Sequence, residues 1–600
     1  KVAFVRDNNL YWMDLATLEE HAITTEGKLN EIICGTTDWV YEEEFAITKG
    51  FAWSPDSKKI AYLVFDERKV REYNMQMWGK LYPEDYRYKY PKAGEDNSKV
   101  ELRVYDVEAQ KGLFMPALAG AGRTCATWEY IPRFQWTPSG LLAFMRMNRL
   151  QNHMQILSVN AQAPDKVQML YDEEDRAYVE VPDTWRFITV GKGKKAQEQM
   201  LLTSERDGYR HVYLYGMDGK LAKQVTSGGY EVCEVCGVDV KNNRLYYTSR
   251  EHHPTLKSLF VIGLDGKKKQ CLNDLTRNAK NTEDHYVLGT YNASFSNGCK
   301  YYIRTYSTAN DAPLYTLHDA SGKLIKVLED NQELNKKMKV EYETGRKMFG
   351  SFTTSIGTEL NYYTIRPKDF DQNKKHPVLI YVYGGPGNQQ VTDSYGYSDY
   401  FWYHMLAEKG YVVFCFDGRG TGGRGAQFKK QTYGDMGRME CEDAIEAARW
   451  LGRQSWVDKD RIGIWGWSFG GYLSTLSLLK GNDVFKMAIA VAPVMNWRYY
   501  DNIYTERYLG LPQDNAKGYD DNSPLNFADR LQGSYLLIHG TGDDNVHFQN
   551  TAEMVEKLEN AGKQFEFRIY PNKNHSIYDA TGNTRLNLYQ LMTDFIERKL

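Results

Sequence analysis

The sequence has little cysteine, no excess of positive charge and no long hydrophobic run. Eight Cys among 600 residues are too few for a disulfide scaffold. Lys and Arg number 75 against 78 Asp and Glu, a formal charge of −3 that argues against a nucleic-acid partner. No apolar run approaches the roughly 18 residues that a transmembrane helix needs. Only 17 Pro and a hydrophobic share of 42% exclude a collagen-like or disordered chain. A globular protein with no membrane-spanning segment remains.

A metal site is also not expected. Cys233 and Cys236 have the C-x-x-C spacing, but no second ligand pair or nearby His accompanies them. On a strand the two thiols would point to opposite faces. We therefore predict neither a metal nor a cofactor.

Aromatic residues are abundant, with 45 Tyr and an aromatic share of 14%, which favours β-structure. Residues 1–344 consist of short apolar runs separated by turn residues. An apolar-aromatic strand followed by Asp or Ser and then Gly-Lys recurs at 212–220, 259–267 and 314–323. Repeats of about 40 to 50 residues with several strands each are typical of a β-propeller. An irregular β-sandwich is the alternative.

From about residue 345 the pattern changes to alternating strands and helices. The run Pro377-Val-Leu-Ile-Tyr-Val-Tyr383 has the continuous hydrophobicity of a buried parallel strand. Further strands are predicted over 411–416, 461–465, 487–491, 535–539 and 565–570, and helices over 441–451, from 471, over 551–561 and at the end. Such alternation predicts a parallel sheet covered by helices, so we expect an α/β domain over 345–600.

One motif points to nucleophilic catalysis. Gly466-Trp-Ser-Phe-Gly470 matches the nucleophile elbow G-x-S-x-G, and it lies between a predicted strand and a predicted helix, as that motif requires. Small glycines permit the strained turn that raises the Ser hydroxyl above the sheet. We expect Ser468 to be the nucleophile; a purely structural serine is the alternative.

A serine nucleophile needs a histidine and a carboxylate, which follow it in the order acid, His in this type of fold. The acid is Asp543 or Asp544, which both follow the strand at 535–539, and spacing alone does not choose between them. His575 lies on its own later strand-end loop. We interpret His539, at the end of a strand, and His547, just after the acid loop, as structural.

Two other motifs have competing interpretations. Gly418-Arg-Gly-Thr-Gly-Gly423 satisfies the dinucleotide-binding pattern G-x-G-x-x-G, but no apolar helix start follows it, so we expect no dinucleotide there. Asp38-Trp-Val-Tyr-Glu-Glu-Glu44 places three carboxylates in a row. The ordinary interpretation is a solvated acidic turn of helix. The alternative is that two of the carboxylates bind a cation, such as a substrate ammonium group.

Taken together, these blocks resemble the dipeptidyl peptidase IV branch of the prolyl oligopeptidase family. The resemblance covers essentially the whole chain and includes the acidic run, the serine motif, Tyr499-Tyr-Asp501 with Tyr504-Thr-Glu-Arg507, and His539-Gly-Thr-Gly-Asp-Asp-Asn-Val-His-Phe-Gln549. It implies a β-propeller followed by an α/β-hydrolase domain, and a serine exopeptidase that removes X-Pro or X-Ala dipeptides.

The resemblance also implies roles for individual residues. It places the triad on Ser468, Asp543 and His575, and thereby favours Asp543 over Asp544. It implies an oxyanion hole made by the Phe469 N–H and the Tyr383 hydroxyl. For substrate binding it implies a double glutamate for the amino terminus, an amide contact to the substrate carbonyl and an apolar proline pocket: Glu43, Glu44, Asn545, Val494, Trp497, Tyr500, Tyr504 and Val546.

Some features depart from the family pattern. Phe469 replaces the usual tyrosine, and Asn574 and Ser576 flank the histidine where relatives often carry an acid and a glycine. The family's propeller has eight blades and a substrate-contacting arginine in an early blade, whereas residues 1–344 supply six or seven blades. We therefore expect the first blades and that arginine to be missing from this sequence, which opens at Lys1 without Met or a leader.

Compartment and assembly follow from the resemblance alone. Asn574-His-Ser576 is formally a glycosylation sequon, and a glycan there would cover the histidine, so a bacterial periplasmic or secreted protein is favoured. A homodimer is expected. The alternatives for function are a tripeptidyl or acylaminoacyl peptidase of the same architecture, and a catalytically silent propeller that acts as a binding protein.

Overall fold

The computed structural model describes residues 1–113, 128–191, 193, 196–273, 288–342, 345–396 and 399–600. Internal contacts divide the chain into two compact units. The first unit comprises Lys1–Ser204, Val212–Gln224 and Tyr500–Ala516, and the second comprises Glu205–His211, Val225–Tyr499 and Lys517–Leu600. The domain boundary expected near residue 345 stays a prediction.

The first unit is built from antiparallel sheets. Its strand orders are β1-β2-β3, β10-β9-β6-β4 with β5 on β6, β11-β13-β14-β15 with β12 on β13, β16-β17-β18-β19, and the pair β7-β8. The strands are β1 (Val2–Arg6), β2 (Asn9–Met13), β3 (Glu20–Ala22), β4 (Ile32–Cys34), β5 (Phe51–Trp53), β6 (Lys59–Asp66), β7 (Glu72–Met77), β8 (Glu84–Lys89), β9 (Lys99–Asp106), β10 (Lys111–Leu113), β11 (Trp128–Tyr130), β12 (Phe134–Trp136), β13 (Leu142–Asn148), β14 (His153–Asn160), β15 (Ala163–Glu174), β16 (Trp185–Val190), β17 (Gln197–Ser204), β18 (His211–Gly216) and β19 (Leu221–Gln224).

Two more four-stranded antiparallel sheets follow in the second unit, in the orders β20-β21-β22-β23 and β24-β25-β26-β27. Their strands are β20 (Val232–Asp239), β21 (Arg244–Ser249), β22 (Ser258–Ile262), β23 (Gln270–Cys271), β24 (Thr290–Phe295), β25 (Tyr301–Thr308), β26 (Asp311–Asp319) and β27 (Leu324–Glu329). The all-β prediction for this half of the chain is confirmed, and no disulfide joins cysteines within the described residues.

The Gly-Lys repeat marks one recurring place in these sheets. Its three copies form the turns β18–β19, β22–β23 and β26–β27, each between the third and fourth strands of a four-stranded sheet. Gly219, Gly266 and Gly322 have φ of 79°, 76° and 94°, a conformation that glycine adopts without steric cost. Each copy of the sequence repeat therefore corresponds to one four-stranded sheet.

The second unit also contains an eight-stranded sheet in the order β28-β29-β31-β30-β32-β33-β34-β35. Strands β30 to β35 are parallel, while β28 and β29 form an antiparallel hairpin and β29 pairs antiparallel with β31. The strands are β28 (Lys347–Thr353), β29 (Glu359–Ile365), β30 (His376–Tyr381), β31 (Val412–Phe416), β32 (Val457–Trp467), β33 (Met487–Val491), β34 (Ser534–Gly540) and β35 (Glu566–Tyr570).

The helices include those predicted around this sheet. They are α1 (Trp39–Phe45), α2 (Gln332–Lys336), α3 (Tyr400–Glu408), α4 (Ala426–Lys429), α5 (Arg438–Gly452), α6 (Phe469–Lys480), α7 (Asn502–Leu509), α8 (Ala516–Asp520), α9 (Gln549–Asn560) and α10 (Asn583–Lys599). Helices α1 and α7 belong to the first unit. In the part of the chain that the structure describes, no helix is both long and apolar enough to cross a membrane.

The parallel strands bring the predicted catalytic residues to one edge of the sheet. Tyr383 follows β30, Ser468 follows β32, Asp543 follows β34 and His575 follows β35. The carboxyl ends of parallel strands lie at the same edge, which is where α/β proteins build their sites.

Candidate active site

Ser468 occupies the strained turn that the sequence motif predicted. It joins β32 to α6 with φ 59° and ψ −120°, a backbone conformation that is rare for a residue with a side chain. Its N–H donates to the Val491 carbonyl at 2.9 Å, and its own carbonyl accepts from the Tyr472 N–H at 2.9 Å. These bonds hold the turn, and the Ser468 side chain remains partly accessible.

The flanking glycines allow strands and helix to approach closely. A Cβ on Gly470 would lie 2.2 Å from the Val382 carbonyl oxygen, and one on Gly466 would lie 2.3 Å from backbone atoms of Gly470. The Tyr383 ring, one residue after Val382, lies 6.2 Å from that of Phe469. Phe469 opens α6, where backbone N–H groups have no acceptor within the helix.

Asp543 is buried between two histidines. Its Oδ2 accepts from His575 Nδ1 at 2.7 Å and from His539 Nε2 at 3.1 Å. Its Oδ1 accepts from the N–H groups of Asn545 at 3.1 Å and Val546 at 2.9 Å. Burial alone would raise the pKa of Asp543, but the charge of His575 and the bonds from both histidines hold that pKa well below its usual value. The carboxylate therefore stays ionised.

His575 is tied both to this acid and to the serine turn. Because its Nδ1 bonds to Asp543, its Nε2 is the nitrogen left for proton transfer. Trp467, which directly precedes Ser468, donates its indole N–H to the His575 carbonyl at 3.0 Å. The structure thus gathers Ser468, His575 and Asp543 in one place.

His539 is more than a strand-end residue. It is fully buried, its Nδ1 lies 2.7 Å from the Thr551 hydroxyl, and its Nε2 lies 2.8 Å from the Val546 carbonyl as well as near Asp543. Sequence reasoning interpreted His539 as structural and missed its contact with the acid. Only its place in the same strand-and-turn segment hinted at that contact.

Three of the apolar side chains predicted to contact the proline lie in the second unit. Val494 and Trp497 are 1% exposed and Val546 is fully buried. The Trp497 ring lies 5.5 Å from the Phe469 ring, so Trp497 packs beside the residue that follows the nucleophile.

In the first unit, the acidic run forms a helix whose last glutamate is buried. Asp38 caps α1 by accepting from the Tyr41 N–H at 3.0 Å, and Ser98 donates to Asp38 at 2.7 Å. Glu43 is exposed, whereas the Glu44 side chain is only 9% exposed. The interpretation of this run as a solvated turn is therefore wrong for Glu44.

Helix α7 packs against α1 in the same unit. Of the predicted residues, Tyr504 lies in its first turn and Tyr500 lies two residues before its first residue, with ring centroids 5.2 Å apart in an edge-to-face arrangement. Asp501 caps the helix by accepting from the Tyr504 N–H at 2.9 Å. Farther along, the buried Glu506 accepts from Arg149 at 2.7 and 2.8 Å, which fixes α7 on the sheets.

Glu44 and Asp501 form a buried carboxyl pair. Burial raises the pKa of Glu44 to about 7; Arg507, whose Nη2 lies 3.9 Å away, lowers it, and Glu43 raises it further. Burial and the charge of Glu44 raise the pKa of Asp501 well above its usual value. Asp501 Oδ2 has no hydrogen-bond partner among the described residues while both groups are ionised, and a hydrogen bond from a protonated Asp501 lowers the pKa of Glu44.

Sequence reasoning gave no role to Asp501 or Arg507, although both lie in the blocks that carried the family resemblance. An Asp that precedes a helix is commonly its N-cap, which accounts for one carboxylate oxygen. The sequence does not show what the second oxygen contacts.

The first unit also contains three side chains of types that ligate metals. In the first unit, His153, Asp172 and Glu174 offer ligand atoms within 4.8 Å of one another. Without an ion, His153 Nε2 already lies 2.9 Å from Asp172. Cys233 and Cys236 both lie on β20.

Comparisons with known proteins agree with this geometry. Residues 1–313 match the family described as dipeptidyl peptidase IV N-terminal region, and residues 398–600 match the prolyl oligopeptidase family. Pig dipeptidyl peptidase 4 is 34% identical over 100% of this chain and 78% of its own length. A probable dipeptidyl-aminopeptidase B of Trichophyton verrucosum is 33% identical over 96% of this chain.

The chain spans 65% of the length of that fungal relative. Among solved structures, Porphyromonas gingivalis dipeptidyl peptidase 4 superposes with a TM-score of 0.90 at 40% identity, covering 100% of this chain and 81% of the other. The predicted fold, a β-propeller followed by an α/β-hydrolase domain, is confirmed. The chain belongs to the dipeptidyl peptidase IV branch of the prolyl oligopeptidase family.

Proposed function

We propose that this protein is a serine dipeptidyl peptidase that releases X-Pro or X-Ala dipeptides from the amino terminus of peptides. The observation that carries the proposal is the 2.7 Å hydrogen bond between His575 and the buried Asp543, tied through Trp467 to the strained turn at Ser468. The family membership supports the same activity.

In the proposed reaction, Ser468 Oγ attacks the carbonyl carbon after the second substrate residue while its proton passes to His575 Nε2. The Phe469 N–H and the Tyr383 hydroxyl bind the oxyanion. The C–N bond then breaks and His575 returns the proton to the leaving amine. Water, deprotonated by His575, attacks the acyl-enzyme and releases the dipeptide and free Ser468. Asp543 fixes the histidine tautomer throughout.

Specificity is proposed to come from two sets of residues. Glu43 and Glu44 bind the free amino terminus, which allows only two residues before the cleaved bond. The penultimate proline is proposed to contact apolar side chains of each unit, namely Val494, Trp497 and Val546 in the second and Tyr500 and Tyr504 in the first. Asn545 is proposed to contact the substrate carbonyl. A free amine next to a largely buried carboxylate gives a charge-assisted hydrogen bond, stronger than a neutral one.

Fluorophosphonate labelling tests the nucleophile. Wild type should be labelled and Ser468→Ala should not. Labelling of neither protein would favour the alternative of a silent binding protein.

A substrate panel tests the specificity. Gly-Pro-p-nitroanilide should be cleaved, and its N-acetylated form should be cleaved far more slowly. Faster cleavage after X-X-Pro would indicate a tripeptidyl peptidase instead, and faster cleavage of the blocked substrate an acylaminoacyl peptidase.

Substitution of Glu44 tests the amine site. Glu44→Gln should raise KM roughly 10- to 100-fold, the scale of a hydrogen bond to a charged group, and leave fluorophosphonate labelling intact. Glu42→Gln, an exposed position on the same helix, serves as the matched control. An equal effect of both changes would argue against the assignment.

A periplasmic or secreted location and a homodimer remain part of the proposal, supported by the resemblance alone. Sedimentation equilibrium would measure the oligomeric state.

A further inference from the structure

A cavity of about 440 Å³ adjoins the nucleophile in the second unit. Its lining includes Ser468, Tyr383 and Trp467 together with Lys347, Arg585 and Tyr403. The described residues of its wall include none of the apolar side chains assigned to the proline. The cavity therefore offers a second region of space beside Ser468.

The cavity wall is rich in hydrogen-bond donors. Tyr403 is 4% exposed and Trp465 is 1% exposed, and neither the Tyr403 hydroxyl nor the Trp465 indole N–H has a partner among the described residues. An indole N–H and an ammonium group can only donate. A buried donor without an acceptor is costly, so these groups indicate a ligand that supplies acceptor oxygens.

The charge of the wall agrees with this chemistry. Lys347 is 5% exposed, its backbone is fixed by two hydrogen bonds with Asn310 at 2.8 and 2.9 Å, and its ammonium group lies 4.0 Å from the centre of the Tyr363 ring. The guanidinium of Arg585 lies 4.7 Å from the centre of the Trp467 ring. Asp399 is the acid in the wall, and it accepts a hydrogen bond from the Tyr589 hydroxyl.

Two nearby carboxylates act against the effect of burial on Lys347. Burial lowers the pKa of Lys347 to about 8, although Cys415, Asp393 and Asp417 raise it. The two aspartates already accept backbone N–H groups, from Ala309 in one case and from Gln390 and Val391 in the other. With that pKa, Lys347 is about nine-tenths protonated at pH 7.

We propose that this cavity binds the C-terminal carboxylate of the leaving peptide, so that the preferred substrates are tripeptides and tetrapeptides with a free carboxyl end. The inference rests on the proposed peptidase activity. Acyl and leaving groups extend from the reacting carbon in different directions, so a leaving peptide needs space other than the proline pocket. At about 30 Å³ per water, the cavity holds on the order of fifteen water-sized groups, enough for one or two residues.

The test compares free acids with amides. Gly-Pro-Ala should be cleaved with a kcat/KM about tenfold or more above that of Gly-Pro-Ala-amide, because the acid offers a charged acceptor to Lys347. The ratio should fall to about one for peptides with five or more residues after the proline, whose carboxyl end lies beyond the cavity. Equal rates for the short acid and amide in wild type would overturn the inference.

Variants then locate the effect. In Lys347→Met the ratio of acid to amide should fall to about one, and in Lys347→Arg most of it should return. Lys480→Met is the matched control, because Lys480 bonds to Asp521 and Asn522 away from the cavity and should keep the wild-type ratio. A ratio that survives in Lys347→Met would overturn the inference.

Two further measurements cover the cases in which Lys347→Met does not fold or the peptidase activity is absent. If Lys347→Met does not fold by circular dichroism, Tyr403→Phe decides: a fall of a few-fold in the ratio supports the inference and an unchanged ratio overturns it. Cleavage of Gly-Pro-p-nitroanilide, which has no carboxylate, reports on the peptidase activity separately. If wild type does not cleave the anilide, the proposed function fails; if it does and the acid shows no advantage, only the cavity assignment fails.

Discussion

The carboxyl pair of Glu44 and Asp501 predicts that substrate binding depends on pH separately from the chemistry at Ser468. An ammonium group binds the ionised pair better than a protonated one. Because burial raises the pKa of Glu44 to about 7, acidification below neutral pH adds a proton there and weakens binding. Lowering the pH therefore lowers kcat/KM for substrates with a free amino terminus.

The size of this effect follows from the pKa. A group with a pKa of about 7 is roughly 9% ionised at pH 6 and 50% ionised at pH 7, a change of about fivefold. A normal glutamate, with a pKa near 4.3, would be almost fully ionised at both values. The predicted fivefold rise between pH 6 and pH 7 is thus specific to a buried glutamate.

Substitutions of Asp501 distinguish a pH dependence that arises from the carboxyl pair from one that has another cause. Asparagine caps a helix as well as aspartate does, so α7 should keep its first turn. In Asp501→Asn the amide replaces a carboxyl whose hydrogen bond lowers the pKa of Glu44, and the amide can still donate, so the midpoint of the rise in kcat/KM should stay near that of wild type. Asp501→Ala removes the donor, which raises the pKa of Glu44, so the rise should move to higher pH.

The assay must separate the titration of Glu44 from the titration of the catalytic groups. We would divide kcat/KM for Gly-Pro-p-nitroanilide by the rate constant of fluorophosphonate labelling at each pH between 5.5 and 7.5, since the label reacts with Ser468 but has no amine. A quotient that does not change between pH 6 and pH 7, or one whose midpoint in Asp501→Ala equals that of wild type, would refute the reasoning.

Two further predictions concern the nucleophile turn. Trp467→Phe removes the hydrogen bond to the His575 carbonyl and should lower kcat about 2- to 10-fold. The control Trp402→Phe loses an indole hydrogen bond elsewhere in the unit and should leave kcat unchanged. Equal losses of kcat in both variants would contradict a role of Trp467 in positioning His575. Gly470→Ala places a Cβ 2.2 Å from a carbonyl oxygen and should abolish fluorophosphonate labelling of Ser468. The control Gly229→Ala has no atom within 4 Å of its Cβ and should be labelled normally. Full labelling of Gly470→Ala would show that the backbone relaxes around the added Cβ at little cost.

The sequence predicted the parts of the fold that depend on local patterns. The helix expected over 441–451 extends over Arg438–Gly452, and the strand expected over 461–465 extends over Val457–Trp467. Periodicity identifies such elements because burial on one or both faces dictates it. Their ends depend on caps and neighbours, which periodicity does not record.

The site was predictable where a motif fixes the backbone and less so elsewhere. The glycines around Ser468 specify a strained turn, and the structure has it. Asp543 and Asp544 are adjacent in one turn, so spacing could not separate them, and what separates them is that the Asp543 carboxylate is fully buried and contacts His575. Contacts between distant segments determined that outcome.

Three of the residues to which sequence reasoning gave no role share a physical feature. Asp501, Tyr403 and Trp465 are all buried polar groups with an atom that no described residue satisfies. Each looks ordinary in the sequence, as a helix cap or as an aromatic core residue. Whether a buried polar atom has a hydrogen-bond partner depends on three-dimensional packing, which no sequence motif or periodicity records.

These unsatisfied groups make a combined prediction about the substrate. The buried carboxyl pair near α1 offers acceptors for a cation, and the unpartnered donors of the cavity beside Ser468 are costly until an acceptor reaches them. Proteins tolerate such local costs mainly at functional sites, where a ligand offsets them. A peptide with both ends free supplies one cation and one anion, and a tripeptide is the shortest peptide that also contains the cleaved bond after its second residue. Blocking either end of Gly-Pro-Ala should therefore cost kcat/KM. Blocking the amino end should cost more, because Glu43 and Glu44 are proposed to determine where cleavage occurs, whereas the cavity is proposed only to add affinity for the group that leaves.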